Sequence, residues 1–163
     1  MYDTATDLVS TSTSLLVIAP IVIYIFYRSN VLLIFAAGTA IASTTAELIK
    51  RYITAGIPAF KRPKGARARC GVAGLVPCDA LSPDVSAEHE SGMPSAHASS
   101  TAFAAAYIVL TCRNPVLGTA AVLYWLAVCY SRYKMSCHSL AQLAAGSVLG
   151  ATLGFLATRV SPY

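Results

Sequence analysis

The stretch SRYKMSCHSLAQLAAGSVLGATLGFLA, residues 131–157, decides the fold. It opens polar, with Arg132, Lys134 and His138, and from residue 139 to 157 it contains no charged side chain. A helix needs about 20 mostly apolar residues to cross the hydrocarbon core of a bilayer, so the second part reads as a membrane span. Gly146, Gly150 and Gly154 recur every four residues and line one helix face. Small residues in this register let a second backbone approach closely, which is how helices associate in lipid. His138 and Gln142 continue the same spacing and therefore lie at the membrane end of the buried face.

Upstream, four further apolar segments follow the same logic, over residues 8–27, 31–49, 97–112 and 116–130. The first has a polar front half and contains Pro20, while the second stops at Lys50-Arg51. The turn Arg113-Asn114-Pro115 separates the third from the fourth. The expected architecture is a single all-α domain, an integral membrane bundle of about five transmembrane helices. Residues 1–49 hold two N-terminal spans, 50–96 a long polar loop carrying site residues, and 97–158 three more spans. With five spans, the 50–96 loop and the 131–138 segment share one membrane face, opposite the turns at 28–30 and 113–115.

Composition agrees. Of the 163 residues, 56% are hydrophobic and 12% charged, half the roughly 25% of average soluble chains, and the mean hydropathy is +0.61. The net charge of +5 is not a nucleic-acid footprint, because seven of the twelve basic residues lie between Lys50 and Arg69. A basic patch confined to a loop between apolar segments points instead to phosphate or anionic head groups. The acidic opening MYDTATD lacks a basic n-region, so the first apolar segment is expected to stay in the mature protein. Five cysteines give an odd count. Cys112 and Cys129 read as core residues, and Cys70 and Cys78 either pair in an oxidising compartment or remain thiols.

Three polar clusters fall on the same face: Lys50 with Arg62-Pro63, then Pro94-Ser95-Ala96-His97, then Ser131-Arg132 with His138. Phosphoryl transfer needs cations on the equatorial oxygens, an in-line nucleophile and an acid for the leaving group. Lys50, Arg62 and Arg132 supply the first, Arg with a planar fork that matches phosphate. His97 and His138 supply the other two at neutral pH. No metal or other cofactor is required by this set.

The order Lys…Arg-Pro, Pro-Ser-X-His, Ser-Arg-x5-His resembles the type 2 phosphatidic acid phosphatase (PAP2) superfamily, membrane enzymes that share their active site with vanadium haloperoxidases. The resemblance covers Lys50 to about Gln142. It implies that His138 is the nucleophile, forming a phosphohistidine, and that His97 protonates the leaving group. It assigns Lys50, Arg62, Ser95 and Arg132 to the phosphate, together with the backbone N–H of Ala96 beside Ser95. Three positions depart from the family pattern. Eleven residues separate Lys50 from Arg62 where six are usual, Ala96 replaces a glycine, and Gln142 replaces the carboxylate four residues after the nucleophile. The Gln142 carbonyl oxygen is expected to accept from the His138 ring and orient it without adding charge. Gln at this position is similar to the dolichyl-diphosphatase branch, which implies a polyprenyl diphosphate substrate.

The remaining polar residues read more plainly. Lys64, Arg67 and Arg69 form a solvated basic loop drawn to anionic lipid, His89 between Glu88 and Glu90 is a surface residue, Ser95 doubles as a helix cap, and Glu47 is expected to pair with a loop cation. The expected partners are a lipid phosphate or diphosphate and membrane lipids, not nucleic acid. The expected activity is a lipid phosphatase. The alternative is an inert membrane subunit, within a homo-oligomer or a larger complex. Sidedness is divided. Six basic residues against three place the active face in the cytosol by the positive-inside rule, whereas the resemblance implies a lumenal or extracytoplasmic face.

Overall fold

In the computed structural model, residues 8–9, 12–27, 29–63 and 91–160 are described. Lys64, Arg67, Arg69, His89 and the Cys70–Cys78 pairing considered above lie outside them. Five α-helices make up the described residues: α1 (Leu15–Tyr27), α2 (Asn30–Tyr52), α3 (Ala96–Thr111), α4 (Pro115–Lys134) and α5 (Leu140–Val160). Short 3-10 turns lie at Ser12–Ser14 and Pro58–Phe60. The all-α class holds among the described residues. Two helices, α2 and α5, are long and apolar enough to cross a membrane, with mean hydropathies of 1.7 and 1.6. The 16 residues of α3 rise only about 24 Å, short of a ~30 Å hydrocarbon core.

Local sequence sets the helix ends. Asn114 caps α4, its side chain accepting from the N–H groups of Val116 and Leu117 at 2.9 and 3.4 Å, with Pro115 in the first turn where no N–H is needed. Ser95 caps α3, its Oγ accepting from Ala98 N–H at 3.4 Å. Before α5, Ser139-Leu140-Ala141-Gln142 closes a reciprocal capping box: Gln142 N–H donates to Ser139 Oγ at 3.4 Å and Ser139 N–H to Gln142 Oε1 at 3.0 Å. The expectation that polar residues 131–138 form a connecting segment needs one change. Helix α4 continues through Ser131, Arg132 and Lys134. The chain then turns back at Ser136, whose φ of 56° is left-handed.

Helix α3 is the axis of the bundle. Every residue from Ala96 to Ala105 is buried, and α5 packs on it most extensively, ahead of α4 and α2. The glycine face of α5 makes that contact at backbone distance. A Cβ at Gly146 would collide with the Ser95 carbonyl, one at Gly150 with the Ser99 carbonyl, and one at Gly154 would lie 2.8 Å from the Phe103 carbonyl. On the opposite flank, Ser99 Oγ donates to the Ala42 carbonyl at 3.0 Å. Phe103 and Tyr107 stack at 5.9 Å over Ala42 beside Phe35. The polarity is inverted relative to a water-soluble bundle. Ser95, Ser99, Ser100, Thr101 and Thr39 are buried, while Leu15, Ile18, Ile21, Leu123, Leu126, Val148 and Phe155 face outward. Contiguous exposed apolar surface of this kind suits lipid as the solvent.

Gly150→Ala places a methyl group against a carbonyl that helix geometry holds in place, so it is expected to destabilise by about 1–3 kcal/mol. Gly118→Ala, whose Cβ would meet Val109 Cγ2 at an ordinary 3.5 Å, is the neutral control. Thermal unfolding of the two variants in detergent measures the difference.

Candidate active site

Five pieces of chain converge at one end of the bundle: the last turn of α2 with Lys50, the segment holding Arg62, the first turn of α3 with Ser95, Ala96 and His97, the last turn of α4 with Arg132, and His138 ahead of α5. All seven of these residues are buried. Arg132 is the largest fully buried side chain among the described residues, at 1% exposure. The charges of Arg62, Lys50, Arg132 and His97 all act on His138, and those of Arg62 and Arg132 act on Lys50. Lys50, Arg62, His97, Arg132 and His138 are thus brought within electrostatic reach at one end of the bundle.

The long Lys50–Arg62 separation is absorbed locally. The chain leaves α2 at Tyr52, turns at Gly56 with a φ of 77°, and makes a 3-10 turn at Pro58–Phe60 that returns it to the site. Both ends of the polar loop are then fastened together. Lys61 and Ser91 form an antiparallel bridge, Gly92 N–H donates to the Phe60 carbonyl at 2.8 Å, and Thr54 Oγ1 donates to the Met93 carbonyl at 2.7 Å. Lys50 meets an acid on its own helix rather than leaving it for a loop cation: its Nζ lies 2.6 Å from Glu47 Oε1.

His138 is oriented by the main chain. Its Nδ1 lies 3.0 Å from the Gly92 carbonyl oxygen. Because a carbonyl oxygen only accepts, the neutral ring carries its proton on Nδ1 and leaves a lone pair on Nε2. Burial first, then the positive charges of Arg62, Lys50 and Arg132, hold the His138 imidazole well below the ordinary histidine range. It is therefore neutral at pH 7.

The expected contact from Gln142 to this ring is replaced by others. The Gln142 side-chain oxygen accepts from Ser139 N–H in the capping box, and its NH2 group donates to the carbonyls of Phe60 and Lys61 at 3.2 and 2.9 Å. The physical reason is the length of the side chain: from the first turn of α5 it reaches across to the 60–61 backbone, while Gly92 occupies the position beside the ring. The signal that would have revealed this is Ser139-x-x-Gln142, a capping-box sequence. Other motif polar groups are also engaged structurally. Ser131 Oγ donates to the Val128 carbonyl at 2.8 Å, and Ser95 N–H donates to the Gln142 carbonyl at 3.1 Å. The N–H of Ala96 belongs to the first turn of α3, where N–H groups have no intrahelical acceptor. An anion there is also favoured by the helix dipole.

Cys137, adjacent to His138 and fully buried, is disulfide-bonded. Cys112 and Cys129 are free.

Residues 31–163 match the PAP2 superfamily. The chain belongs to that superfamily, and its membership supports phosphatase-type activity in general. No curated protein and no solved structure matches the chain.

Because burial and three neighbouring cations depress the His138 pKa, the ring is expected to stay neutral, with its proton on Nδ1, as pH falls through 6.5. Nitrogen chemical shifts of the labelled histidines in detergent check both. A ring that gains a proton at or above the ordinary histidine value of ~6.5 contradicts this geometry.

Proposed function

We propose that this protein is a metal-independent, multi-pass membrane lipid phosphatase that hydrolyses a lipid phosphate or a polyprenyl (dolichyl-type) diphosphate through a phosphohistidine. The observation that carries this reading is the convergence of three buried cations on a neutral, main-chain-oriented histidine.

In this reading Lys50, Arg62, Arg132 and the first-turn N–H groups of α3 hold the phosphoryl oxygens, in the preorganised manner that lowers barriers for developing negative charge. The Nε2 lone pair of His138 attacks the terminal phosphorus, and its bond to the leaving oxygen breaks, freeing the lipid alcohol from a monophosphate or the lipid monophosphate from a diphosphate. His97 donates a proton to the departing oxygen. In the second half His97 takes a proton from water, the water oxygen attacks phosphorus, and the phosphorus–nitrogen bond breaks to release inorganic phosphate. Gln142 in place of a carboxylate is the reason for favouring a diphosphate. The disulfide at Cys137 supports an oxidising compartment for this face, so the reading takes the active face as lumenal or extracytoplasmic, against the count of basic residues.

The inert-subunit alternative draws on one observation, the 2.6 Å Glu47–Lys50 pair, in which a carboxylate occupies one of the phosphate ligands.

Phosphate release by the detergent-purified protein, in EDTA, on a short polyprenyl diphosphate and on phosphatidic acid separates the two. Wild type is expected to turn over, and His138→Ala to lose about 10³-fold or more in kcat. Arg62→Ala and Lys50→Ala are each expected to cost about 10²–10³-fold in kcat/KM. Full activity in Lys50→Ala removes Lys50 from the phosphate site. No release by wild type, with no binding of either lipid, favours the inert subunit.

A further inference from the structure

We propose that Gln142 is a positioning residue for Arg62, holding the two residues before it by donated hydrogen bonds, and that a carboxylate at this position disables the site instead of completing it. The proposal rests on the phosphatase reading above for its activity readout and on the geometry for its binding readout.

The side-chain amide of Gln142 is 2% exposed as a residue and fully committed. Its two N–H groups meet two carbonyl oxygens, those of Phe60 and Lys61, and its oxygen meets the N–H of Ser139. Turning the amide over would set its oxygen against both carbonyls and its NH2 against an N–H, so the assignment of oxygen and nitrogen is determined by the partners. The main chain of the same residue accepts from Ser95 N–H. Gly92, whose carbonyl orients His138, lies directly over the amide: a Cβ at Gly92 would come within 2.5 Å of Gln142 Oε1 and 2.8 Å of Nε2. One residue thus fastens the approach to Arg62, the cap of α3, the glycine that orients the nucleophile and the helix start that follows it.

This arrangement makes Gln142→Glu an informative substitution. Either carboxylate oxygen can accept from Ser139 N–H, so the capping box and the start of α5 survive. The carboxylate has no hydrogen to give to Phe60 or Lys61, and its second oxygen faces two carbonyl oxygens. Burial and the facing carbonyls favour the protonated acid, which restores one of the two donated bonds. The charged and titratable groups at this end are Glu47 and Lys50 on α2, Lys61 and Arg62 on the returning segment, His97 on α3, Arg132 on α4, and His138 before α5. Wild type carries all of them, so the ratio of variant to wild type at each pH isolates the introduced carboxyl.

The test measures kcat and KM for phosphate release, and calorimetric binding of inorganic phosphate, at pH 7.5 and 5.5 for wild type, Gln142→Glu and Gln142→Met. The expectation for Gln142→Glu at pH 7.5 is a KM raised about ten-fold or more, a matching loss of phosphate binding, and a melting temperature near that of wild type. At pH 5.5 the ratio to wild type recovers several-fold. Gln142→Met, of similar length and without a donor, is expected to show the same KM rise with no such recovery, and stands in should the Glu variant fail to fold. Activity of Gln142→Glu at or above wild type at pH 7.5 overturns the proposal, since residue 142 then serves the His138 ring. Unchanged phosphate binding in both variants overturns it as well. If wild type binds phosphate but releases none, and the variants still bind it in the expected pattern, the phosphatase reading fails while the positioning role stands.

Discussion

The contact between α3 and α5 is the constraint on which the rest of the molecule depends. Each of three glycines on α5 meets a backbone carbonyl of α3 or of its cap, Ser95, and no side chain with a Cβ fits between them. The two helices carry the site at their N-terminal ends: His97 lies in the first turn of α3, and His138 two residues before α5. With the helices in backbone contact, the separation of these histidines is set by hard-sphere geometry deep in the bundle.

Around that contact the side chains are sorted by a rule opposite to that of a soluble protein. Small hydroxylated residues are buried, where their oxygens bond to helix carbonyls, as with Ser99 to Ala42 and Thr101 to His97. Branched apolar residues face outward. In lipid there is little hydrophobic gain from helix contact, so close packing and internal hydrogen bonds take its place. The buried cations at one end are costly in such a setting unless something anionic meets them. Glu47 does so for Lys50.

Much of this was legible in the sequence. The 97–112 segment predicts α3 to within a residue of Ala96–Thr111, because Ser95 is a strong cap and the segment is uniformly small and apolar. The four-residue glycine spacing predicts the packed face of α5, which the carbonyl contacts bear out. The cluster of Lys50, Arg62, His97, Arg132 and His138 also follows from motif order. What was not legible came from long-range backbone partners. Nothing in the sequence around His138 announces that the Gly92 carbonyl, 46 positions away, orients its ring. Gln142 was misplaced for a related reason: its spacing from His138 suggested a ring contact, while its spacing from Ser139 encoded a helix cap. The extra turn of α4 through Arg132 escaped a reading based on apolar runs, because helix continuation there depends on backbone bonds and not on hydropathy.

The fastening of the polar loop at its base has a consequence for how loop length bears on the site. Thr54, Phe60 and Lys61 on one side and Ser91, Gly92 and Met93 on the other form a neck that closes before the loop begins. Once a loop is closed, doubling its length costs only about 0.6 kcal/mol more. The placing of Arg62 and Gly92 beside the site therefore depends on the bonds of the neck and little on the length of chain it closes.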